Sequence, residues 1–179
     1  MRMFTKIVGL ETDAGRVTYL NITDKIKDVI EESGIKNGHV IVQVPHTTCS
    51  VIFEEYVHDR DITGDEFLQT DLNNVLNRII PRELTNDFNY KYPGPEHLAF
   101  VKEYTENDVD QANPLSVEDA FKTLLNGDAH LRGSLFGCSE TFILCEGSMA
   151  IGLVGSIYFI DWDQNRARNR KCYVQVVGE

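Results

Sequence analysis

Two stretches of the chain carry side chains whose types and spacing suit chemistry at neutral pH. The first, VPHTTCSVIFEEY at residues 44–56, sets His46 behind Pro45 and follows it with Thr47, Thr48 and Ser50, then Glu54 and Glu55. The second, NGDAHLRGSLFG at residues 126–137, places His130 two positions before Arg132. An imidazole titrates close to physiological pH, so it can act as base, acid or metal ligand, and nearby hydroxyls can fix its tautomer. Brought together in space, His46 and His130 with Glu55 or His97 would make a donor set suited to a divalent metal such as zinc. A third stretch, QNRARNRK at residues 164–171, concentrates Arg166, Arg168, Arg170 and Lys171 in a chain of formal net charge −11. Extended, those three arginines share one face and suit phosphate oxygens; a solvated hairpin tip is the plainer reading.

The elements that must position these groups follow from periodicity. MFTKIVGLET and RVTYLNI read as strands joined into a hairpin at Asp13-Ala14-Gly15. TDKIKDVIEESG spaces Ile26, Val29 and Ile30 as one helical face, with Thr23 or Asp24 as cap and Gly34 as stop. HVIVQVPH is apolar on both faces, as a central strand should be, and Pro45 ends its pairing, which leaves His46 at the strand end. DEFLQTDLNNVLNRIIP predicts a helix with a stripe of Phe67, Leu68, Leu72, Val75, Leu76 and Ile79, capped by Asp65 and stopped by Pro81.

Residues 82–114 read as a long irregular connection carrying His97, and SVEDAFKTLLNG as a helix with a capping box from Ser116 to Asp119 and a stop at Asn126-Gly127. That places His130 in a loop after a helix. The last third predicts strands around a Glu146-Gly147 turn, one of them with a small-residue face of Ala150, Gly152, Val154 and Ser156, and a closing strand KCYVQVV. The expected architecture is one compact α+β domain over residues 1–179, a mainly antiparallel sheet with helices gathered on one side.

Composition bounds the function. The acidic balance disfavours nucleic acid as a partner, since backbone phosphates are gripped by clustered Lys and Arg. No apolar run approaches the ~20 residues of a membrane span, MRMFTK is not a signal peptide, and Cys49, Cys138, Cys145 and Cys172 form no CxxC pair. Reduced thiols and a cytoplasmic setting are expected, with no membrane partner. A phosphate loop of the GxxxxGK kind does not occur, so any phosphate site must be assembled from side chains and separated amides.

HTTCSVIFEE, DAHLRGSLFG, EGSMAIGLVGSIYFID and the closing VGE, in this order along nearly the whole chain, resemble the YjbQ-type family. Its members are generally described as secondary thiamine-phosphate synthases. The resemblance implies an α+β homotrimer with histidines gathered in a cleft at or near subunit contacts. It places His46, Thr47 and Thr48 on a histidine followed by two Ser/Thr, Glu55 on a glutamate, and Asp71 on a helical aspartate. His130 and Arg132 fall on a histidine-plus-basic element, and His97 on a Tyr-x-His histidine. His46, Glu55 and His130 are then the expected catalytic groups. Thr47, Thr48, Arg132, Arg166, Arg168 and Arg170 would bind a small phosphorylated molecule. His46, His130, His97 and Asp71 would hold a zinc or magnesium ion. The chain departs from the usual Trp-Gln-Gly-Ile-Tyr at residues 154–158, and from the usual Glu-His-Arg at Asp161, Trp162 and Asp163.

The implied reaction joins a pyrimidine pyrophosphate to a thiazole phosphate and releases pyrophosphate. It requires a held leaving group, neutralised charge and an oriented thiazole nitrogen. Two other readings fit the same residues: a metal-dependent hydrolase with Glu55 as base, and a noncatalytic trimer that binds a metal or metabolite.

Overall fold

The structure, a computed structural model, describes residues 1–84, 90–106 and 121–179. Its elements in chain order are β1 (Arg2–Thr12), β2 (Thr18–Asn21), α1 (Thr23–Ser33), β3 (Gly38–Gln43), β4 (Cys49–Glu55), α2 (Phe67–Ile79), α3 (Pro95–Glu106), α4 (Gly127–Phe136), β5 (Ser139–Cys145), β6 (Ser148–Met149), β7 (Gly155–Asp161) and β8 (Arg168–Gly178). They form two antiparallel sheets, ordered β1-β8-β3-β5-β6 and β2-β7-β4. The chain is α+β with antiparallel pairing, as its patterning predicts.

The hairpin expected of the first two strands does not form. β1 pairs along its length with the equally long β8, from Arg2 opposite Gly178 to Thr12 opposite Arg168, while β2 joins β7 in the other sheet. The intervening turn bonds outward instead of closing a ladder: the Gly15 N–H donates to the Gln164 carbonyl at 2.7 Å, with Gly15 at φ +83°. β3 is the central strand its sequence predicts, between β8 and β5, with Val40 and Val42 fully buried.

The main apolar core draws Ile26, Val29 and Ile30 of α1 together with Val174 and Val176 of β8 and with Val51, Ile157 and Phe159 of the small sheet. A second cluster lies on the other face of the small sheet, where Ile160 and Trp162 meet Leu76 of α2 and Ala129 of α4. β7 therefore buries side chains on both faces, which explains its unbroken Ile-Tyr-Phe-Ile run. The alternating small-residue face does not exist: residues 150–154 are non-strand, and Gly152 adopts φ +70°.

Helix ends also differ from their local signals. Gly34 stops α1 in the left-handed conformation as expected, but the N-cap position is Ile22, and the Thr23 N–H donates to Asn21 Oδ1 at 3.1 Å. Glu66 rather than Asp65 caps α2; its N–H donates to Gln69 Oε1 at 3.1 Å, while Asp65 pairs with Arg16. Of the α2 stripe, Leu76 is buried and Leu72 partly so, whereas Phe67, Leu68, Val75 and Ile79 face outward.

Within the expected irregular connection, Pro95–Glu106 is the helix α3. The predicted capping box at Ser116 and Asp119 lies outside the described residues. The helical turn at residues 121–123 ends three residues before the expected Asn126-Gly127 stop, and Asn126-Gly127 begins α4: buried Glu83 from a distant segment accepts the Gly127 N–H, and Asp128 accepts the Glu83 N–H at 3.2 Å. Cys49 and Cys172 are buried, Cys138 and Cys145 exposed, and all four are free thiols.

Candidate functional site

Pro45 turns the chain out of the sheet, and His46 takes up the bond that the strand gives up. β3 covers β8 only as far as Tyr173, so the N–H of Lys171 beyond it has no ladder partner on that side. It donates to His46 Nε2 at 3.1 Å. A neutral imidazole that accepts at Nε2 carries its proton on Nδ1, so His46 keeps one N–H donor at Nδ1. The His46 carbonyl accepts the Cys49 N–H at 3.0 Å and closes the turn before β4. Burial first, then the Arg170 guanidinium, hold the His46 pKa at about 4, so the ring is neutral at pH 7.

His130 lies on α4 with its ring near the Thr47 backbone. It is half-buried, and burial lowers its pKa, while the Thr47 carbonyl facing the ring favours the protonated form. Gly133 permits this approach: a Cβ there would stand 2.5 Å from the Thr47 carbonyl oxygen. Tyr92 packs edge-on against His130 with centroids 5.4 Å apart, and its hydroxyl lies 3.2 Å from Nε2 of exposed His97. Thr47 and Tyr92 both adjoin His130, Tyr92 adjoins His97, and the charge of Arg168 acts on both His46 and His130.

The arginine stretch is committed internally. Buried Arg170 donates through Nε to Asp161 Oδ2 at 2.7 Å and through Nη2 to Asp161 Oδ1 at 3.1 Å and to Thr48 Oγ1 at 3.0 Å. Asp161 also accepts from Thr12 Oγ1 and from the Asp163 N–H. Arg168 pairs with buried Asp163, which takes a further bond from Asn126 Nδ2 at 2.9 Å. The three arginines therefore do not present one solvent-facing grip: Arg168 and Arg170 sit on β8 and are met by carboxylates, and Arg166 lies in the turn before it. Thr48 is buried beneath Arg170, whereas Thr47 is exposed.

Other expected site residues lie elsewhere. Arg132, two positions after His130 on a helix, is rotated about 200° from it, and its Nη2 bonds Asn77 Oδ1 at 2.8 Å and the Ile80 carbonyl at 2.7 Å. Glu55 is exposed at the far end of β4, about 20 Å from Cys49 at the ~3.3 Å strand rise. Asp71 is exposed on α2. Among the described residues, no three His, Cys, Asp or Glu side chains stand together as donors to one ion. His46, His130, His97 and Asp71 do not fit a metal as a single set.

Reading single motifs missed Tyr92, Glu83 and the two aspartates. A signal for the aspartates was present in DWD and RNR: acids two apart face arginines two apart, and period-two alternation puts each pair on one side of its strand. Trp162 between those aspartates turns the opposite way, stacks on Phe136 at 5.1 Å and donates from Nε1 to Ser50 Oγ at 2.9 Å. No helix among the described residues is long and apolar enough to cross a membrane.

Known proteins share this framework. The chain is 27% identical over 164 residues to a UPF0047 protein of Methanocaldococcus jannaschii, covering 92% of this chain and 88% of that one. It is 25% identical over 159 residues to the UPF0047 protein YugU of Bacillus subtilis, covering 89% of each. Among solved structures, a YbjQ-like protein of unknown function from Sulfolobus solfataricus superposes with a TM-score of 0.65 at 22% identity, over 99% of this chain and 100% of that one. A YjbQ/UPF0047 protein from Clostridium acetobutylicum gives 0.63 at 23%, over 95% and 99%. The family model described as UPF0047 protein YjbQ-like matches residues 8–179, and the chain belongs to that family.

Proposed function

We propose that this protein is a transferase acting on small phosphorylated substrates at the face formed by His46, Thr47 and His130, and that the transfer is of the thiamine-phosphate synthase kind. The observation that carries the reading is the pair of imidazoles flanking Thr47, both with lowered pKa and both within the field of Arg168. In this reaction the thiazole nitrogen bonds to the pyrimidine methylene carbon as its C–O bond breaks, and the electron pair leaves with pyrophosphate. The step moves no proton, so the face needs donors for the leaving group rather than a base. His46 supplies its Nδ1–H and Thr47 its hydroxyl. His130, with one ring N–H turned to the Thr47 carbonyl, offers its other nitrogen as an acceptor for an amino group on the pyrimidine.

The same reading includes a homotrimer in which copies cover the exposed apolar side chains of α2. A solution mass of three times 20.3 kDa supports it; a single-chain mass rejects it. The decisive experiment incubates purified protein with both precursors and measures thiamine phosphate, with and without chelator. Product is expected, with loss in His46→Ala and His130→Ala and none in His39→Ala. Full activity in both site variants would reject this face, and ligand-induced stabilisation without turnover would favour a noncatalytic binder.

A further inference from the structure

A second polar cleft opens on the opposite side of α4 from His130. Arg132 forms its floor with a fully buried side chain; two of its donors, Nε and Nη1, are buried and make no hydrogen bond. Native proteins seldom leave charged donors in that condition. Arg16 and exposed Arg82 line the same cleft, whose volume is about 480 Å³.

The remaining charged and amide groups lean toward donors, with Thr63 and Gln164 able to act either way. Asn77 Oδ1 already accepts from Arg132, and Asn73 Oδ1 from the Tyr19 hydroxyl at 2.9 Å, so the amide N–H groups of both are the side to turn to a ligand. The one carboxylate lining the cleft, Asp65, is held by Arg16. Three guanidiniums against one carboxylate leave two positive charges in a chain whose net charge is −11. A cation would meet that positive charge there. An oxyanion finds forked donors whose combined charge matches a phosphate dianion better than a carboxylate.

We infer that this cleft binds the phosphate group of a small metabolite, at a site separate from the imidazole face. The volume falls within the range of small-molecule pockets and leaves room for more than the phosphate itself. His130 and Arg132 point to opposite sides of one helix, so a ligand here does not occupy the reaction face. The inference is independent of the proposed transfer reaction.

The test is a thermal-shift and calorimetric titration of the full chain with inorganic phosphate, at ionic strength held constant with chloride. Saturable stabilisation is expected, unchanged in His130→Ala and weakened about tenfold in Arg82→Ala, the ~1.4 kcal/mol of one charged contact. Arg132→Met should abolish it; should that variant fail to fold, Arg16→Gln serves in its place. No saturable response, or a response that survives Arg82→Ala and Arg16→Gln, overturns the inference. So does one lost in His130→Ala alone, which would move the phosphate to the imidazole face.

Discussion

The bond between Asp161 and Arg170 offers the sharpest test of how the face is held. Asp161 is completely buried and receives Nε and Nη2 of Arg170, the Thr12 hydroxyl and the Asp163 N–H. Replacing Asp161 by Asn keeps the shape and leaves the Arg170 guanidinium buried without its counter-charge, a change that costs about 3–5 kcal/mol in such pairs. At a urea slope of about 2 kcal/mol per molar, the unfolding midpoint should fall by about 1.5–2.5 M. Trp162 is the only tryptophan in the chain and is fully buried, so its emission reports the transition. The double variant Asp161→Leu with Arg170→Met should recover most of the loss, because neither charge then remains to be desolvated. A midpoint moved by less than about 0.5 M in Asp161→Asn, where a charge-pair origin requires several-fold more, would refute the reasoning.

Three further outcomes are expected. His46, with a pKa near 4 when folded, takes up its proton more readily in the unfolded chain; stability is therefore whole above about pH 6.5 and declines as pH falls from there toward 4. NMR titration of the ring checks the value, and His46→Gln should flatten that part of the urea-midpoint profile. Gly133→Ala drives a methyl against the Thr47 carbonyl and should cost about 1–3 kcal/mol by overpacking, with thiamine phosphate formation falling further than the thermal midpoint alone explains. Trp162→Ala should cost about 3–5 kcal/mol by cavity formation; native emission already resembling that of tryptophan in water would contradict the burial.

What could be read from the residues, and what could not, divides by the range of the interaction. β3, the Gly34 stop and the Glu146-Gly147 turn, with both residues at positive φ, are local features and follow from local chemistry. The α4 start at Gly127 looked like a stop because its cap is Glu83, a residue 44 positions away. The first hairpin failed for the same reason: β1 finds its partner at the far end of the chain, which no turn residue announces. At the site, the position of His46 follows from Pro45, but its tautomer depends on Lys171, 125 residues distant. In a loop, Arg132 would lie beside His130; on the helix that forms, two positions apart means opposite sides.

The internal pairing of β8 has an outward consequence. With the guanidiniums of Arg168 and Arg170 matched by Asp163 and Asp161, much of the positive charge in that strand is cancelled at close range. A phosphorylated molecule arriving from solution therefore climbs a repulsive long-range potential until it is within a Debye length of either cleft, about 8 Å at physiological salt. Association should be slow for a diffusional encounter and should quicken as added salt screens the acidic exterior, the reverse of the behaviour of proteins that steer anions inward.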